Sequence, residues 1–448
     1  MNSTDRLERN RMLYTLFDRQ FFRKWNPENK LGTIELIVTA DCDMQCEYCY
    51  IHRYGDRLYP RELRNSETIL DNLEILLNWI EDKQYYIETL DIFSGEFFAG
   101  ELGFQVLEKI YQHALRRRFC GAIVIPSNFS FVGSEKRTSR VEEYFSKFEK
   151  IGISMFLSCS IDGKGVDDTA RQSLKDYRTD EYYDKVFSFS KKHRCGFHPM
   201  VSKEFVANYK ESFDWWVEML LKHFGEEAKF YVPMLLEVRN DTWDTASLSD
   251  YSDMLWYIAE SSLKHFHKGD VKDFIHRIFH VPGKYEHVTM GDILKLPFTS
   301  NRCTCSIQSG PVVRLGDLAL VPCHRTMYPE YHYGRLAVEN GKIVGVEEKN
   351  VSLAAKIYAM NPNVTHPKCS GCAIKSICLR GCLGSQLEVN RELFAPVESV
   401  CDLMYTKFKT LHEIYGFYHA YQMIEADPEI PAEYKRQVKY IKGVLERI

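Results

Sequence analysis

Residues 39–50 read TADCDMQCEYCY and set Cys42, Cys46 and Cys49 at C-x3-C-x2-C spacing, directly behind the apolar run TIELIV at 33–38. Three thiols are one fewer than a closed structural zinc site or a fully ligated iron–sulfur cube requires. Zinc fits poorly, because no fourth Cys or His follows at ligand spacing. A three-thiolate site leaves one corner of a [4Fe–4S] cube open to a small chelating ligand. The preceding run reads as a strand, and in parallel α/β sheets the C-terminal strand ends carry the chemistry.

Outward from that stretch, apolar β-rich runs alternate with helical patterns. After TIELIV come IETLDIF (87–93), GAIVIP (121–126), ISMFLSCSI (153–161), FHPMVS (197–202) and KFYVPML (229–235). Between them lie amphipathic segments such as SETILDNLEILLNWIED (66–82) and FQVLEKIYQHALRRR (104–118). Six βα units in order predict an α/β fold with a parallel sheet buried on both faces. Right-handed crossovers would curl it into a partial (β/α)6 TIM-like barrel. The expected organisation is a helical extension at 1–30, the barrel at 31–240, a helical bridge at 241–295, a cysteine-rich region at 296–404 and a helical tail at 405–448.

The bulk composition excludes several function classes. Lys and Arg total 58 against 62 Asp and Glu, for a formal net charge of −4 among 448 residues, whereas a broad nucleic-acid surface needs a basic excess. No apolar run of about 18 residues reads as a membrane span. The polar N-terminus MNSTDRLERNR lacks the apolar region of an export signal, so a cytoplasmic location is expected. Fourteen cysteines then stand out. A reducing compartment disfavours disulfides, and the cysteines cluster as three at 42–49 and eight at 303–401, which points to metal. Cys120, Cys159 and Cys195 stand apart and read as small buried hydrophobes.

The opening triplet, with Tyr48 before its last cysteine, resembles the radical S-adenosylmethionine superfamily. The resemblance implies that Cys42, Cys46 and Cys49 hold a [4Fe–4S] cluster whose open iron binds S-adenosylmethionine, with Tyr48 near cluster and adenine. DIFSGEFF resembles the family's Gly-Gly-Glu motif, so Ser94, Gly95 and Glu96 would receive the methionine amino group; Ser94 departs from the usual glycine. PSNFS resembles the Thr-Asn-Gly turn and implies Asn128. LSCSIDG resembles the Ser-x-Asp-Gly segment of peptide-modifying members and implies that Ser160 and Arg171, with Arg178 as the substitute for Arg171, bind ribose or carboxylate. Leu235 and Glu237 are pocket positions at the sixth strand. Their order, each after a successive predicted strand, carries more than any motif alone.

The later cysteines, Cys303-x-Cys305, Cys323, Cys369-x2-Cys372-x5-Cys378-x3-Cys382 and Cys401, resemble the SPASM domain with its two auxiliary [4Fe–4S] clusters. The resemblance puts Cys369, Cys372, Cys378 and Cys401 on an outer cluster, and Cys323, Cys382 and the Cys303/Cys305 pair on an inner one. That makes three clusters in all. A zinc ribbon on Cys369, Cys372, Cys378 and Cys382 is the bland alternative. Two departures stand: Gly316 precedes Cys323 by two residues more than usual, and Cys303 and Cys305 are tightly spaced, so either both ligate or one iron stays open.

The implied activity is hydrogen abstraction by a 5′-deoxyadenosyl radical, followed by oxidation of the substrate. A maturase that crosslinks a ribosomally made precursor peptide through a thioether, carbon–carbon or carbon–oxygen bond is the leading expectation. A formylglycine-forming sulfatase maturase is the alternative. It is weakened because His324, rather than aspartate, follows Cys323; His324 would serve as acid or base. A small-molecule oxidoreductase and a non-catalytic electron carrier are further readings. Only 41 residues precede Cys42, too few for the family's winged-helix leader module, so a leader is expected to be held by a separate leader-binding protein or by the 1–30 helix and barrel surface, or not to be needed. A flavodoxin or ferredoxin would donate electrons, with no nucleic acid and no membrane involved.

Overall fold

The computed structural model describes residues 30–93, 95–173, 178–233, 235–240, 242–267, 311–350, 352–353, 367–372, 382–393, 395–426, 428–429 and 431–432. The predicted N-terminal helix, Ser94, Cys303, Cys305 and Cys378 lie outside these residues.

The strands, in chain order, are β1 Lys30–Ile37, β2 Met44–Cys46, β3 Tyr86–Phe93, β4 Cys120–Ser127, β5 Ser154–Cys159, β6 Arg171–Ser173, β7 Gly196–Phe197, β8 Met200–Val201, β9 Leu236–Glu237, β10 Val312–Arg314, β11 Ala319–Leu320, β12 Gly334–Glu339 and β13 Lys342–Glu347. Nine of them form one sheet in the order β13-β12-β11-β10-β1-β3-β4-β5-β7. The β10-β1-β3-β4-β5-β7 portion is parallel, and β10 to β13 extend it as an antiparallel meander. This is a mixed α/β fold with a large parallel sheet.

Alternation along the strands decides the two faces. Ile34, Leu36, Leu90, Ile92, Ile123 and Ile125 are buried in one core cluster with the covering helices. Those helices are Ser66–Asp82, Glu101–Arg116, Glu135–Lys150 and Asp180–His193. The first is typical: Ile69, Leu73, Leu76 and Ile80 recur at helical spacing, and the Asn65 side chain accepts from Thr68 N–H at 2.9 Å to cap it. On the opposite face, register places Glu35, Asp91, Val124 and Phe156 side by side on β1, β3, β4 and β5. Phe156 is 47% exposed there.

The predicted sixth strand is corrected. Residues 225–230 form a short 3-10 helix, and pairing begins only at β9, which joins β8 in a separate two-stranded ladder. Pro233 has no N–H to give a ladder. The fifth predicted strand is likewise split into β7 and β8 around Pro199, whose carbonyl accepts from Leu236 N–H at 3.0 Å.

Beyond the sheet, the helix Thr245–Ser262 opens on an Asp244–Ser247 capping box and packs against the long helix Glu398–Ala426. That long helix runs through residue 404, where the sequence placed a domain boundary. Buried Glu237 ties the joint together: it takes an ion pair from Lys407 and a hydrogen bond from Tyr251 Oη at 3.0 Å, and Arg239 stands 3.6 Å away. Burial pushes Glu237 up, but Lys407 and Arg239 outweigh it and hold the carboxyl at about 2. No helix among the described residues is long and apolar enough to cross a membrane.

Breaking one side of such a pair leaves a buried charge and costs about 3–5 kcal/mol. Lys407→Met should therefore lower the thermal midpoint markedly more than Lys409→Met on the exposed face of the same helix. Because the Glu237 pKa is depressed in the fold, its contribution is present above the unfolded value of about 4.3 and is lost as pH falls toward about 2. Acid unfolding of the wild type, followed by circular dichroism, should show a component in that window that Glu237→Gln abolishes.

Candidate active site

The cysteine loop leaves the C-terminal end of β1 and is fastened at once to the end of β3. Gly95 N–H donates to Thr39 O at 2.9 Å and Glu96 N–H to Asp41 O at 2.8 Å. A Cβ on residue 95 would sit 2.2 Å from Asp41 O, so only glycine permits the approach. Asp41 itself accepts from Thr39 Oγ1 at 3.0 Å and pairs with Arg64 at 3.2 Å.

Within the loop, Cys42 Sγ accepts from Met44 N–H at 3.4 Å. β2 pairs antiparallel with β6, opposing Cys46 to Arg171. Cys49 N–H turns back onto Cys46 O at 3.0 Å, and Cys49 is the N-cap residue of the helix Tyr50–Leu58. All three thiols are free. Burial raises Cys42 well above the usual range and pushes Cys46 up to about 12, so these thiols stay protonated until a cation displaces the proton. Among the described residues no three His, Cys, Asp or Glu side chains converge on a single ion position. A cube, unlike a single ion, takes each thiolate on a different iron. Three reduced thiols on one pinned loop are the donor set such a cube needs.

Glu96 lies beside this loop, 3% exposed. It accepts from Ser127 Oγ at 2.9 Å, Phe98 N–H at 3.1 Å and Asn128 N–H at 2.6 Å. Burial is the largest influence and raises its carboxyl to about 7, against the opposing hydrogen bond from Asn128. Asn128 Nδ2 in turn donates to Asp43 at 2.7 Å. Ser160 Oγ donates to Ser127 O at 2.9 Å, which links β5 to the same network.

Tyr48 is held from below. Its hydroxyl donates to Asp162 and accepts from Arg171 Nη1 at 3.0 Å. Asp162 is fully buried, also accepts from Met200 N–H at 2.7 Å, and lies 3.5 Å from Arg171. Asp167 stands 3.7 Å from the same guanidinium and accepts from Tyr183 Oη at 2.9 Å and Asp162 N–H at 2.9 Å. Burial, then the neighbouring Asp162, raises Asp167 to about 7. Arg171 is thus committed to Tyr48, Asp162 and Asp167. Arg178 Nη1 is likewise spent on the carbonyls of Asp167 and Arg171.

The structure therefore joins Cys42, Cys46, Cys49, Tyr48, Gly95, Glu96, Asn128, Ser160 and Arg171 into one hydrogen-bonded end of the sheet. Leu235 is buried, and Glu237 is drawn away to Lys407. Sequence reasoning passed over Asp43, Ser127, Asp162 and Asp167. Asp162 stood inside the quoted LSCSIDG, and its signal was an aspartate next to the glycine that precedes the helix Lys164–Ala170, in the turn after β5.

A second group lies past β11. Cys323 is buried, and its N–H donates to Thr326 Oγ1 at 3.2 Å. Its neighbour His324 stacks on Phe93 of β3, with centroids 3.9 Å apart at 7°, and meets Glu35 of β1 through Nδ1 at 3.0 Å. Burial disfavours the imidazolium, but Glu35 outweighs it and the His324 pKa is raised. Asp91, next to Glu35 in register, is pushed up to about 6 by burial and then by Glu35. Cys382 is the N-cap residue of the helix Leu383–Asn390; Arg325 reaches its Sγ at 3.4 Å and pairs with Glu388, which joins the segment after Cys323 to that helix. Cys369 and Cys372 share a turn, Cys372 N–H to Cys369 O at 3.3 Å. Lys368 bridges to Glu398 at 3.0 Å, bringing that turn beside the first helical turn of Cys401.

No protein-family model matches this chain, and no curated protein matches it. Solved structures do. Native anSMEcpe with bound AdoMet is 14% identical, with 87% of this chain and 100% of that chain covered at a TM-score of 0.54. SuiB of Streptococcus suis bound to S-adenosylmethionine is 13% identical, with 87% and 78% covered at a TM-score of 0.44. At such identity, the likeness to anSMEcpe establishes a shared fold, and a fold alone does not fix an activity.

Gly95→Ala tests the fastening of the loop. With backbone rather than a flexible side chain in its way, the added methyl should cost about 1–3 kcal/mol, read as a lower denaturation midpoint. Gly100→Ala, where a Cβ would meet nothing, should be near neutral.

Proposed function

We propose that this chain is a radical S-adenosylmethionine enzyme that oxidatively crosslinks a ribosomally made peptide. The observation that carries the reading is the network joining three free thiols at the end of β1 to Glu96, Asn128 and Tyr48. Cys42, Cys46 and Cys49 would hold three irons of a [4Fe–4S] cube, whose fourth would take S-adenosylmethionine. Once both are bound, the chemistry supplied is one-electron cleavage of the sulfonium to a 5′-deoxyadenosyl radical, which takes a hydrogen atom from the substrate.

The chain's own residues bind and orient. Glu96 offers a desolvated carboxylate to the methionine ammonium, and Ser127 and Asn128 fix its direction. Arg171 and Asp162 lock the Tyr48 ring beside the loop, so ribose and carboxylate contacts fall to Ser160 and to backbone rather than to Arg171. Two auxiliary [4Fe–4S] clusters would rest on Cys323, Cys382, Cys303 and Cys305, and on Cys369, Cys372, Cys378 and Cys401. Asp91 and His324 stand on the opposite face of the sheet from the core helices, with buried Glu35 paired to His324 behind them, and would take up a substrate proton. The precursor peptide would lie on that face, with a flavodoxin or ferredoxin as electron donor, a separate protein for the leader, and the cytoplasm as the setting.

Anaerobic co-expression with a short reading frame encoded beside the gene tests this by mass spectrometry. Loss of two hydrogens from the peptide, abolished when Cys42, Cys46 and Cys49 become Ala, is the expected result. A Cys or Ser converted to formylglycine in a sulfatase would move the assignment to that alternative. An unchanged peptide from enzyme that cleaves S-adenosylmethionine would point to a small-molecule substrate. If the triple variant still cleaves S-adenosylmethionine, the assignment of the thiols is wrong.

The Glu96 pKa supplies a pH test. Ammonium binding needs the carboxylate, and the free site titrates at about 7. Affinity for S-adenosylmethionine, measured by equilibrium dialysis, should therefore fall as pH drops through 7, approaching tenfold per unit. Glu96→Gln should bind weakly at every pH and lose that slope.

A further inference from the structure

Ser158 and His198 form a polar side-chain pair separate from the bonds that hold the cysteine loop. Along β5, Leu157 and Cys159 are buried in the core with the covering helices, so Phe156 and Ser158, which alternate with them, face the opposite side of the sheet. His198 follows the core residue Phe197 and turns to that same side, where its Nδ1 meets Ser158 Oγ at 2.5 Å. The ladders continue past the paired strands. Cys159 pairs with Phe197, and one step further Ser160 N–H donates to Ser127 O and His198 N–H to Cys159 O, each at 2.9 Å. Ser160 and His198 therefore stand abreast at the strand ends, in the row that Ser160 joins to the Glu96 network through Ser127.

The His198 side chain is half-buried, so a ligand can reach it. Desolvation, then the charge of Arg171, lowers its pKa to about 4, and at neutral pH the ring is uncharged. A neutral imidazole carries one N–H and one bare nitrogen. The Ser158 hydroxyl can donate to Nδ1 or accept from it, so Nε2, across the ring from Ser158, can serve as acceptor or as donor. Among the described residues Nε2 has no hydrogen-bond partner. Ser160 is more constrained. Its proton is given to Ser127 O, which leaves its lone pairs to accept. The cations at this end are spent: Arg171 on Tyr48, Asp162 and Asp167, and Arg178 on two carbonyls. What the row offers a ligand is an uncharged acceptor on Ser160 and an uncharged, adaptable nitrogen on His198.

We propose that His198 is a binding residue for the ribose of S-adenosylmethionine, acting beside Ser160 and oriented by Ser158. This rests on the function proposed above. A ribose diol is neutral, and each hydroxyl both donates and accepts. Ser160 Oγ can take the proton of one hydroxyl, and His198 Nε2 can accept from or donate to the other. An uncharged pair suits an uncharged ligand group, because neither side brings an ion out of water. An apolar group in the same place would leave Nε2 desolvated and unbonded, which costs more than the bond itself contributes. The Ser158 bond holds the ring in one orientation, so the nitrogen is placed before the ligand arrives.

The test uses the full chain, reconstituted with iron and sulfide without oxygen and without reductant, so that the ligand is bound but not cleaved. Equilibrium dialysis gives the affinity for S-adenosylmethionine and for its 2′-deoxy and 3′-deoxy analogues, in the wild type, His198→Ala, His198→Gln and Ser158→Ala, with iron content read for each. The expected result is unchanged iron, and S-adenosylmethionine bound about three- to tenfold more weakly by His198→Ala, with His198→Gln nearer the wild type. One deoxy analogue should bind the wild type more weakly by a similar factor, and His198→Ala should not distinguish it from S-adenosylmethionine. Ser158→Ala, which keeps the ring but frees it, should lose part of the same discrimination and covers the case in which His198→Ala fails to fold. Equal affinity in wild type and His198→Ala would overturn the proposal. So would a weaker His198→Ala that still discriminates against the analogue, since the ring would then act elsewhere, or loss of iron from all three variants, which would make the pair structural. A wild-type chain that binds no S-adenosylmethionine would bring down the proposed function as well; one that binds it with no effect of His198 fails only here.

Discussion

Two backbone hydrogen bonds hold the chemistry-bearing end of this molecule together: Gly95 N–H to Thr39 O and Glu96 N–H to Asp41 O. They make the turn after β3 and the cysteine loop after β1 one object. Without them, Glu96 would have no fixed relation to Cys42, and the hydrogen bonds that reach it from β4 would aim at nothing. The missing side chain at Gly95 matters more than any side chain present, because a methyl there would need space that Asp41 O occupies. The open corner implied by three thiols therefore has neighbours whose positions are set by backbone, the least adjustable part of a protein.

Around that junction the molecule buries charge to a degree that only dense hydrogen bonding tolerates. Asp162, Asp167 and Arg171 are each at most 5% exposed. An isolated buried ion would shed its charge. Here two acids share one guanidinium, and the excess negative charge is met by Tyr183, Tyr48 and the Met200 N–H. The cost in desolvation returns as geometry, since each partner has one place to be. That explains why Arg171, which motif reasoning assigned to a ligand, is engaged inside the fold. A guanidinium this tightly shared steadies Tyr48 and Cys46 rather than reaching outward.

What could be read from the sequence divides along the same physical line. β1, β3, β4 and β5, the covering helices and the cysteine triplet are local patterns, set by alternation, helical periodicity and spacing over a few residues. Glu96 and Asn128 were legible because each follows a strand end. The Glu237–Lys407 joint, the Arg325–Glu388 clamp and the Glu35–His324 contact were not, because each pairs residues far apart in sequence and no local pattern marks either partner. The sixth strand misled because KFYVPML has strand-like composition while Pro233 denies it a ladder. β10 escaped notice for the opposite reason. Its three residues make too short a pattern, yet they pair along β1 and attach the Cys323 segment to the sheet.

That attachment gives His324 its particular position. Cys323 belongs to one cysteine group, while the adjacent ring stacks on Phe93 and bonds Glu35, on the strands that lead to the other. The rung Glu35, Asp91, Val124 and Phe156 is acidic at the end nearest His324 and apolar at the far end. On the function proposed above, an extended peptide lying across those strands would meet apolar surface first and carboxylates next. Asp91 titrating at about 6 beside Glu35 can hold a proton near neutrality and release it at small cost.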